Sequence, residues 1–336
     1  MVAEVLNYLK LIKLMQRDNI LVTGGFGLLG KPLISKLIEN KSNVFILEKK
    51  STNRKIYLKK KPKKIIIGDF RNKNTVESII KKYKIDVIFH LGAITQVLVS
   101  LKNPFETHQT NVMGTINFLE TIRKINKKII FIYSSSYKAY GELNNRNQFK
   151  EDDKLDGIYP YDVSKSASDI ICQSYSKTYS IKVGIIRSGN IYGPGDLNLK
   201  RLIPEIILST IENKNFKIRS NGKSLRDYVY VEDVVDAYFK LYKKLKNSKE
   251  YLKVYNVSSK YNYSVIDIVN IVLKAMSKKN LKPIIMNNSK QELKLQRLSF
   301  SKIKNELNWY PKTNIKKGIK KSILWYSKNY KNLKKK

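Results

Sequence analysis

The sequence is poor in the residues that build metal sites and disulfide frameworks. Its 336 residues include one cysteine, Cys172, and two histidines, His90 and His108. A single cysteine excludes an intramolecular disulfide framework and a cysteine-based zinc cluster. Two histidines leave little for a histidine metal site. We therefore predict a protein without a bound metal.

Long hydrophobic runs are also missing. No stretch of about 20 apolar residues occurs, so the sequence predicts no transmembrane helix. Segment 1–18 holds several leucines, but Lys10 and Lys13 interrupt it and no small-residue cleavage site follows, which argues against a signal peptide. We interpret 1–18 as an N-terminal extension, either a short amphipathic helix or sequence upstream of a start at Met15. We predict a cytoplasmic location.

Acidic residues are scarce relative to basic ones. The 66 lysines and arginines outnumber the 27 aspartates and glutamates, which gives a formal net charge of +39. One interpretation is a protein that binds nucleic acid or another anionic surface. The other is a solvated lysine coat, which we favour because the lysines are spread along the whole chain without an arginine-rich arm. Nucleic acid is therefore not a predicted partner.

The distribution of apolar residues predicts an α/β fold. With 42% hydrophobic and 10% aromatic residues, the chain can bury a sizeable core. Short apolar runs alternate with helical stretches, which indicates a doubly wound parallel sheet with helices on both faces. The runs lie at 20–23, 44–47, 65–67, 87–90, 129–133 and 183–187.

The regular alternation ends after Asn190, where prolines and glycines cluster. We expect a smaller C-terminal α/β domain there, placed over the carboxyl edge of the sheet. Two later segments, 228–242 and 254–257, are predicted to return to the main sheet. The predicted domains are 19–188 with returning segments at about 228–258, and 189–227 together with 259–336.

A glycine-rich turn follows the first predicted strand. Gly24, Gly27 and Gly30 form the pattern G-x-x-G-x-x-G, and a helix begins directly after them. Such glycines allow a tight turn, close approach of the backbone to a diphosphate, and close packing of helix on strand. The free N–H groups of the helix N-terminus attract the anion. The turn therefore predicts a dinucleotide site.

Two acidic residues at strand ends refine this prediction. Glu48 ends the second strand, 24 residues after Gly24. A carboxylate there can accept both hydroxyls of an adenosine ribose and would repel a 2′-phosphate, so NAD is preferred over NADP. Asp69 follows the third strand and is predicted to receive the adenine amino group.

Three residue types that suit hydride-transfer chemistry follow in order. Tyr161 and Lys165 are four residues apart and would share one face of a helix. A lysine ammonium and a nicotinamide cation would both lower the pKa of the phenol, which can then take a hydroxyl proton. The serines of 134–136 follow the strand at 129–133, where a hydroxyl can hydrogen-bond a substrate oxygen.

Together these residues resemble the extended short-chain dehydrogenase/reductases, specifically the NAD-dependent nucleotide-sugar epimerase/dehydratase group. The resemblance covers about residues 19–330. The stretches most similar to CDP-glucose 4,6-dehydratase-like members are 196–198, 201–204 and 218–220. The resemblance implies a Rossmann domain for NAD, a smaller domain for a nucleotide-diphosphate sugar, and a homodimer formed by helices. The stretches that carry it are 23–30, 90–93, 111–115, 134–141, 161–165, 190–198 and 226–233.

The resemblance implies roles for individual residues. Ser136 would contact the substrate 4-hydroxyl, Tyr161 would be the base, and Lys165 its electrostatic partner, which also holds the nicotinamide ribose. Asn190 would touch the sugar or diphosphate. The remaining substrate-binding residues would be Tyr137, Lys138, Leu202, Ile203 and Arg226, the last as a diphosphate clamp. The cofactor-binding residues would be Gly24, Phe26, Gly27, Leu28, Gly30, Glu48, Asp69, Phe70, Leu91, Ala93, Asn111, Tyr161 and Lys165.

One departure from the family pattern bears on the reaction. Dehydratases of this group carry Asp-Glu or Asp-Lys after the catalytic serine or threonine, whereas this chain has Tyr137-Lys138. Lys138 matches the Asp-Lys variant, but the acid that protonates the departing hydroxyl is missing. We expect an NAD-dependent nucleotide-sugar epimerase/dehydratase that forms a 4-keto sugar. The alternatives are a CDP-glucose 4,6-dehydratase proper and a non-catalytic nucleotide- or nucleic-acid-binding protein.

Overall fold

The computed structural model describes residues 17–49, 58, 60–143, 147–278, 280–287 and 295–334. The predicted N-terminal extension thus lies outside the described residues, except for Arg17 and Asp18. Asp18 accepts a hydrogen bond from Nζ of Lys246 at 2.6 Å, which ties the start of the described chain to a distant helix. None of the helices in these ranges has the length and apolar character needed to cross a membrane.

The strands confirm the predicted parallel sheet. The described ranges contain β1 (Asn19–Thr23), β2 (Asn43–Glu48), β3 (Lys64–Ile67), β4 (Val87–His90), β5 (Ile130–Ser136), β6 (Val183–Ser188), β7 (Asn190–Tyr192), β8 (Lys217–Ile218), β9 (Leu225–Tyr230), β10 (Leu252–Val257), β11 (Asn262–Ser264) and β12 (Ile284–Ile285). Seven of them pair in parallel in the order β10-β6-β5-β4-β1-β2-β3. The central strands are nearly all apolar and buried, as expected when helices cover both faces.

Helices separate the strands, as their sequence pattern predicts. The described α-helices are α1 (Gly30–Glu39), α2 (Lys73–Lys82), α3 (Val97–Lys102), α4 (Pro104–His108), α5 (Gly114–Ile125), α6 (Pro160–Tyr179), α7 (Leu202–Ile211), α8 (Val231–Asn247), α9 (Val265–Ala275), α10 (Ser301–Leu307) and α11 (Ile315–Lys334). A π-helical turn (Gln109–Met113) precedes α5, and a 3₁₀ helix (Tyr137–Tyr140) follows β5.

The two faces of the sheet have separate apolar cores. On one face, Leu33 and Ile34 of α1 and Leu241 of α8 pack in the same core as the strands. On the other face, Phe118 of α5 and Cys172 of α6 belong to the second core. The helices are amphipathic because their apolar residues recur every three or four positions, and each buries that face against the sheet. The doubly wound fold is thereby confirmed.

Two details differ from the expectation. The serine cluster does not follow a strand but forms the end of β5, where Ser136 pairs with Ser188 of β6. Residues 228–230 do not return to the main sheet but belong to β9, which pairs with β7 and β11. The reason is that the chain passes from β6 through Gly189 directly into β7 beyond the carboxyl edge, so that β9 finds its partner there.

The remaining helices extend one of the cores beyond the carboxyl edge. Ile203 and Ile206 of α7, Ile268 of α9 and Ile319 of α11 are buried in the same core as α1 and α8. This arrangement places the segment around α7 beside the carboxyl ends of the strands. The division into domains that we predict from sequence stays a prediction.

Candidate active site

A cleft of about 1100 Å³ opens at the carboxyl ends of the parallel strands. β1 lies between β2 and β4, so the chain turns in opposite directions after β1 and β4. Such a point of reversal leaves a crevice, where ligands of open α/β sheets bind. The predicted site residues that line this cleft are Gly24, Phe26, Gly27, Leu28, Gly30, Glu48, Asp69, Phe70, Leu91, Ala93, Ser136, Tyr137, Lys138, Tyr161, Lys165, Asn190, Leu202 and Ile203.

The glycine turn packs backbone against backbone. Gly24 has φ +65°, and a Cβ atom there would lie 2.9 Å from the backbone nitrogen of Gly92. A Cβ atom on Gly30 would lie 2.5 Å from the carbonyl oxygen of Gly24. Leu29, which caps α1, makes no side-chain hydrogen bond to the first helical turn. Backbone N–H groups at this helix end thus suit a diphosphate, and the cradle fits a dinucleotide.

Glu48 and Asp69 lie at the far end of the cleft from the serines. Oε1 of Glu48 accepts a hydrogen bond from the backbone N–H of Phe26 at 3.1 Å, which joins the end of β2 to the glycine turn. Asp69 accepts hydrogen bonds from Arg71 Nε at 2.9 Å and Nη2 at 2.6 Å. Burial raises the pKa of Asp69, but the bonds and charge of Arg71 outweigh it and hold that pKa below its ordinary value. Asp69 is therefore a carboxylate acceptor at neutral pH.

Asn111 lies behind the wall of the cleft and does not line it. Its Oδ1 accepts a hydrogen bond from Ile94 N at 2.8 Å, and its Nδ2 donates to Ile94 O at 3.0 Å. Nδ2 also donates to Oγ of Ser164, on the helix of Tyr161, at 2.9 Å. This buried amide thus fixes the loop after β4 against α6, which is an indirect contribution to the cofactor side.

The catalytic candidates meet at the centre of the cleft. Ser136 ends β5, and Tyr161 and Lys165 lie one turn apart near the start of α6. Nζ of Lys165 donates a hydrogen bond to the carbonyl oxygen of Ser134 at 2.6 Å. Burial lowers the pKa of Lys165 to about 8. Tyr161 and Lys165, four residues apart in the sequence, therefore both line the cleft from the same helix.

The pKa of Tyr161 differs from the expected direction in the protein alone. Burial raises it to about 12, and a hydrogen bond with Ser136 lowers it by less. Arg201 is a further cation that lowers the pKa of this phenol. The predicted phenolate thus needs an additional positive charge in the cleft, which acts in the lowering direction.

The position of the missing acid holds a buried phenol. Tyr137 is 2% exposed, and burial raises the pKa of its hydroxyl well above the ordinary value. The next residue, Lys138, has Nζ 3.8 Å from Oδ1 of Asp162, which follows Tyr161 in α6. The sequence interpretation overlooked Asp162. Its only signal in the sequence is its place in the first turn of a helix, directly after the predicted catalytic tyrosine.

The segment before α7 supplies a second residue that we did not predict. Arg201 donates from Nη1 to Asp196 at 3.1 Å and from Nη2 to Oγ1 of Thr95 at 3.2 Å, so it bridges the two sides of the cleft. Its signal in the sequence is the place directly before Leu202. Arg226, the predicted clamp, does not line the cleft, but its charge lowers the pKa of Tyr137.

The chain is similar to known proteins in both sequence and fold. Residues 21–322 match the family described as GDP-mannose 4,6 dehydratase. The human dTDP-D-glucose 4,6-dehydratase is 29% identical over 327 residues, covering 94% of this chain and 91% of that protein. The structure of Thermotoga maritima UDP-glucose 4-epimerase with UDP-glucose superimposes with a TM-score of 0.85 and 26% identity, over 93% of this chain and 99% of that one. The structure of Bacillus anthracis dTDP-glucose 4,6-dehydratase in complex with NAD superimposes with a TM-score of 0.82 and 25% identity, over 94% of this chain and 99% of that one.

Proposed function

Since this chain belongs to the GDP-mannose 4,6 dehydratase family of extended short-chain dehydrogenase/reductases, we propose that it oxidises the C4 hydroxyl of a nucleotide-diphosphate sugar at this cleft. It is an NAD-dependent nucleotide-sugar epimerase/dehydratase, as its relatives are named.

The glycine cradle and Glu48 are the proposed cofactor contacts. The turn of Gly24 and Gly27 would approach the diphosphate, and the carboxylate of Glu48 would accept the ribose hydroxyls. When bound, NAD supplies an acceptor for the hydride from C4 and later returns it. Because the cofactor is regenerated, the overall reaction releases no reduced nicotinamide.

The meeting of Ser136, Tyr161 and Lys165 in one wall of the cleft carries the proposal. Ser136 would orient the C4 hydroxyl, and the phenolate oxygen of Tyr161 would take its proton. Lys165 is anchored on Ser134 within the same wall, where its ammonium favours the charged form of the phenol. The base and its cation thus stand on one rigid helix.

A panel of nucleotide sugars tests this function. The protein is incubated with CDP-, UDP-, GDP- and dTDP-hexoses, and the products are analysed by mass. A product lighter by one water identifies a dehydratase, and an isomer of unchanged mass identifies an epimerase. Absence of any product and of any bound reduced nicotinamide with all four would refute the proposal.

We also propose a homodimer formed by the helices around 104–123 (α4, the π-helical turn and α5) and by α6, as the resemblance implies. Phe105, Met113 and Ile170 of these elements are 75%, 44% and 52% exposed. Apolar side chains exposed together on neighbouring helices are typical of a contact surface. Light scattering should give the mass of two chains, and Phe105→Lys together with Ile170→Lys should give one chain. A monomeric wild type would contradict this.

A cytoplasmic setting belongs to the same proposal, since NAD and nucleotide sugars are cytoplasmic metabolites. Fractionation of the source cells would test it, and recovery of the protein in a secreted or membrane fraction would contradict it.

A further inference from the structure

Asp162 is a fully buried carboxylate that the proposed oxidation does not use. Its side chain is 0% exposed, and neither of its oxygens makes a regular hydrogen bond to the described part of the chain. Lys138 is the cation that faces it, with 3.8 Å between Nζ and Oδ1. Burial raises the pKa of Asp162, and the charge of Lys138 and a hydrogen bond of less regular geometry from the Tyr159 backbone oppose this. A buried carboxylate without such compensation costs several kcal/mol.

The backbone holds the two side chains beside the catalytic residues. Lys138 N donates to Oγ of Ser136 at 3.2 Å, which fixes the start of the 3₁₀ helix at the end of β5. Oγ of Ser166, one turn beyond Asp162, donates to the carbonyl oxygen of Ala139 at 2.8 Å. The 3₁₀ helix is therefore fixed to β5 at its start and to α6 at Ala139, on the two sides of Lys138.

Lys138 has access to the cleft, whereas Asp162 does not. The side chain of Lys138 is 21% exposed and lines the cleft next to Ser136 and Tyr137. Asp162 thus does not reach a substrate directly. Lys138 links it to the cleft, and the charge of Asp162 also raises the pKa of the Tyr161 phenol. A carboxylate whose sole purpose is to favour the helix N-terminus would serve equally well in water, so its complete burial against a lysine calls for another explanation.

We propose that the Lys138–Asp162 pair replaces the acid that is missing at position 137 and makes the chain a dehydratase. Lys138 is the proposed proton donor, and Asp162 is a positioning residue that holds its ammonium in place. This inference rests on the proposed function, because water can leave from C6 only after C4 has become a ketone. The phenol of Tyr137 is the less suitable donor, since burial makes it a weaker acid than an ordinary tyrosine.

The step balances with the groups on hand. The ketone at C4 acidifies the hydrogen on C5. The ammonium of Lys138 gives a proton to the C6 oxygen as the C6–O bond breaks, and the C5–H electrons form the C5=C6 double bond. The amine left on Lys138 takes the C5 proton and is an ammonium again. Water leaves. The hydride taken from C4 would then return from the bound cofactor to C6, and C5 would take a proton from Lys138, which would regain one from the phenol of Tyr161. Asp162 compensates the positive charge at the start and at the end.

The test separates oxidation from water loss. Wild-type protein with its cofactor should convert one of the nucleotide hexoses to a product lighter by one water. Lys138→Met should still form bound reduced nicotinamide, seen by absorbance, but should lose water at least about 100-fold more slowly. Asp162→Asn should slow water loss through kcat with little change in KM, and Asp162→Glu should restore part of the rate.

An exposed ion pair offers the matched control. Nζ of Lys154 lies 3.9 Å from Oδ1 of Asp156, almost the distance in the buried pair, but these side chains are 84% and 74% exposed. Lys154→Met and Asp156→Asn should leave water loss at the wild-type rate. A fall in rate with these variants as large as with Lys138→Met would reduce the effect to net charge and overturn the proposal.

Four other outcomes would also overturn the proposal. If the wild type yields only isomers, or if Lys138→Met loses water normally, the proposal is wrong while the proposed oxidation stands. If Tyr137→Phe rather than Lys138→Met blocks water loss, the phenol is the acid. If no sugar produces reduced nicotinamide in the wild type, the proposed function fails, and this proposal fails with it. Lys138 is partly exposed, so its variant decides even if Asp162→Asn does not fold.

Discussion

Nζ of Lys165 donates a hydrogen bond to the carbonyl oxygen of Ser134 at 2.6 Å, so the lysine of α6 is anchored on the end of the strand that carries the serine cluster. The bond ties the helix with the phenol to the strand with Ser136. The ammonium is buried beside the cleft, and burial lowers its pKa to about 8. The electrostatics of this wall therefore depend on pH in the range where the enzyme would work.

Removing the phenol oxygen should abolish the reaction. Tyr161→Phe should lower kcat by about 10²–10⁴-fold because the proton acceptor is lost, while NAD binding stays within about twofold. Product analysis and cofactor titration measure the two effects. Tyr179→Phe, at the other end of the same helix, is the matched control and should keep the wild-type rate. Retained turnover in Tyr161→Phe would remove the assignment of the base.

The ionisation of Tyr161 should respond to the cofactor. Burial raises the pKa of this phenol to about 12 in the protein alone, so it is neutral at pH 7. Bound NAD⁺ brings a positive charge and should lower the pKa by at least one unit. The difference in tyrosinate absorbance between wild type and Tyr161→Phe, titrated with and without NAD⁺, isolates this group. An unchanged midpoint would contradict the electrostatic role of the cofactor.

The buried ammonium of Lys165 should leave its mark on stability. Its pKa is about 8 when folded and 10.5 in the ordinary state, so the unfolded chain binds more protons between these values. The free energy of unfolding should therefore gain a contribution from Lys165 as the pH rises from about 8 to 10.5. Urea unfolding of the wild type and Lys165→Met at pH values of about 7.5, 9 and 10, which span this interval, measures the contribution. The stability of the wild type relative to the variant should increase with pH, and a constant difference would count against the shift.

Glu48 should determine cofactor preference. Its carboxylate is held towards the glycine turn by the N–H of Phe26 at 3.1 Å, and it would repel a 2′-phosphate. Glu48→Ala should weaken the binding of NAD about tenfold. The affinity for NADP should stay the same or increase, and equilibrium titration measures both. Glu39→Ala, on the exposed end of α1, is the control. An equal loss for both cofactors would show that Glu48 does not contact the ribose.

The glycines of the turn should differ in their tolerance of alanine. Gly24 has φ +65°, and an added Cβ would meet backbone of Gly92 at 2.9 Å. Gly24→Ala should cost about 1–2 kcal/mol for the backbone conformation alone, and more for the contact, with loss of NAD binding. A Cβ on Gly27 would lie 3.2 Å from the carbonyl oxygen of Gly24. The unfolding temperature of Gly27→Ala should therefore lie closer to that of the wild type. Thermal unfolding would contradict this if the order were reversed.

The sequence predicted the contiguous parts of the site. The glycine turn, the end of β2 at Glu48 and the Tyr161–Lys165 spacing are local features, because each depends on a few neighbouring residues and on one period of strand or helix. Asn111 shows the limit of such reasoning. The family pattern suggested a place near the cofactor, but only the packing shows that its side-chain amide forms hydrogen bonds with Ile94 and Ser164.

By itself the sequence determined the class of fold and the chemistry at hand, because alternating apolar runs and helices allow few arrangements other than a parallel sheet with its ligand crevice at the carboxyl edge. The tertiary structure alone decided which side chains meet across that crevice. The contact of Lys138 with Asp162 joins residues 24 positions apart, and the bond of Arg201 to Thr95 joins residues 106 positions apart. Such contacts arise from how the crossover connections stack the strand ends and exclude water, which no local pattern specifies.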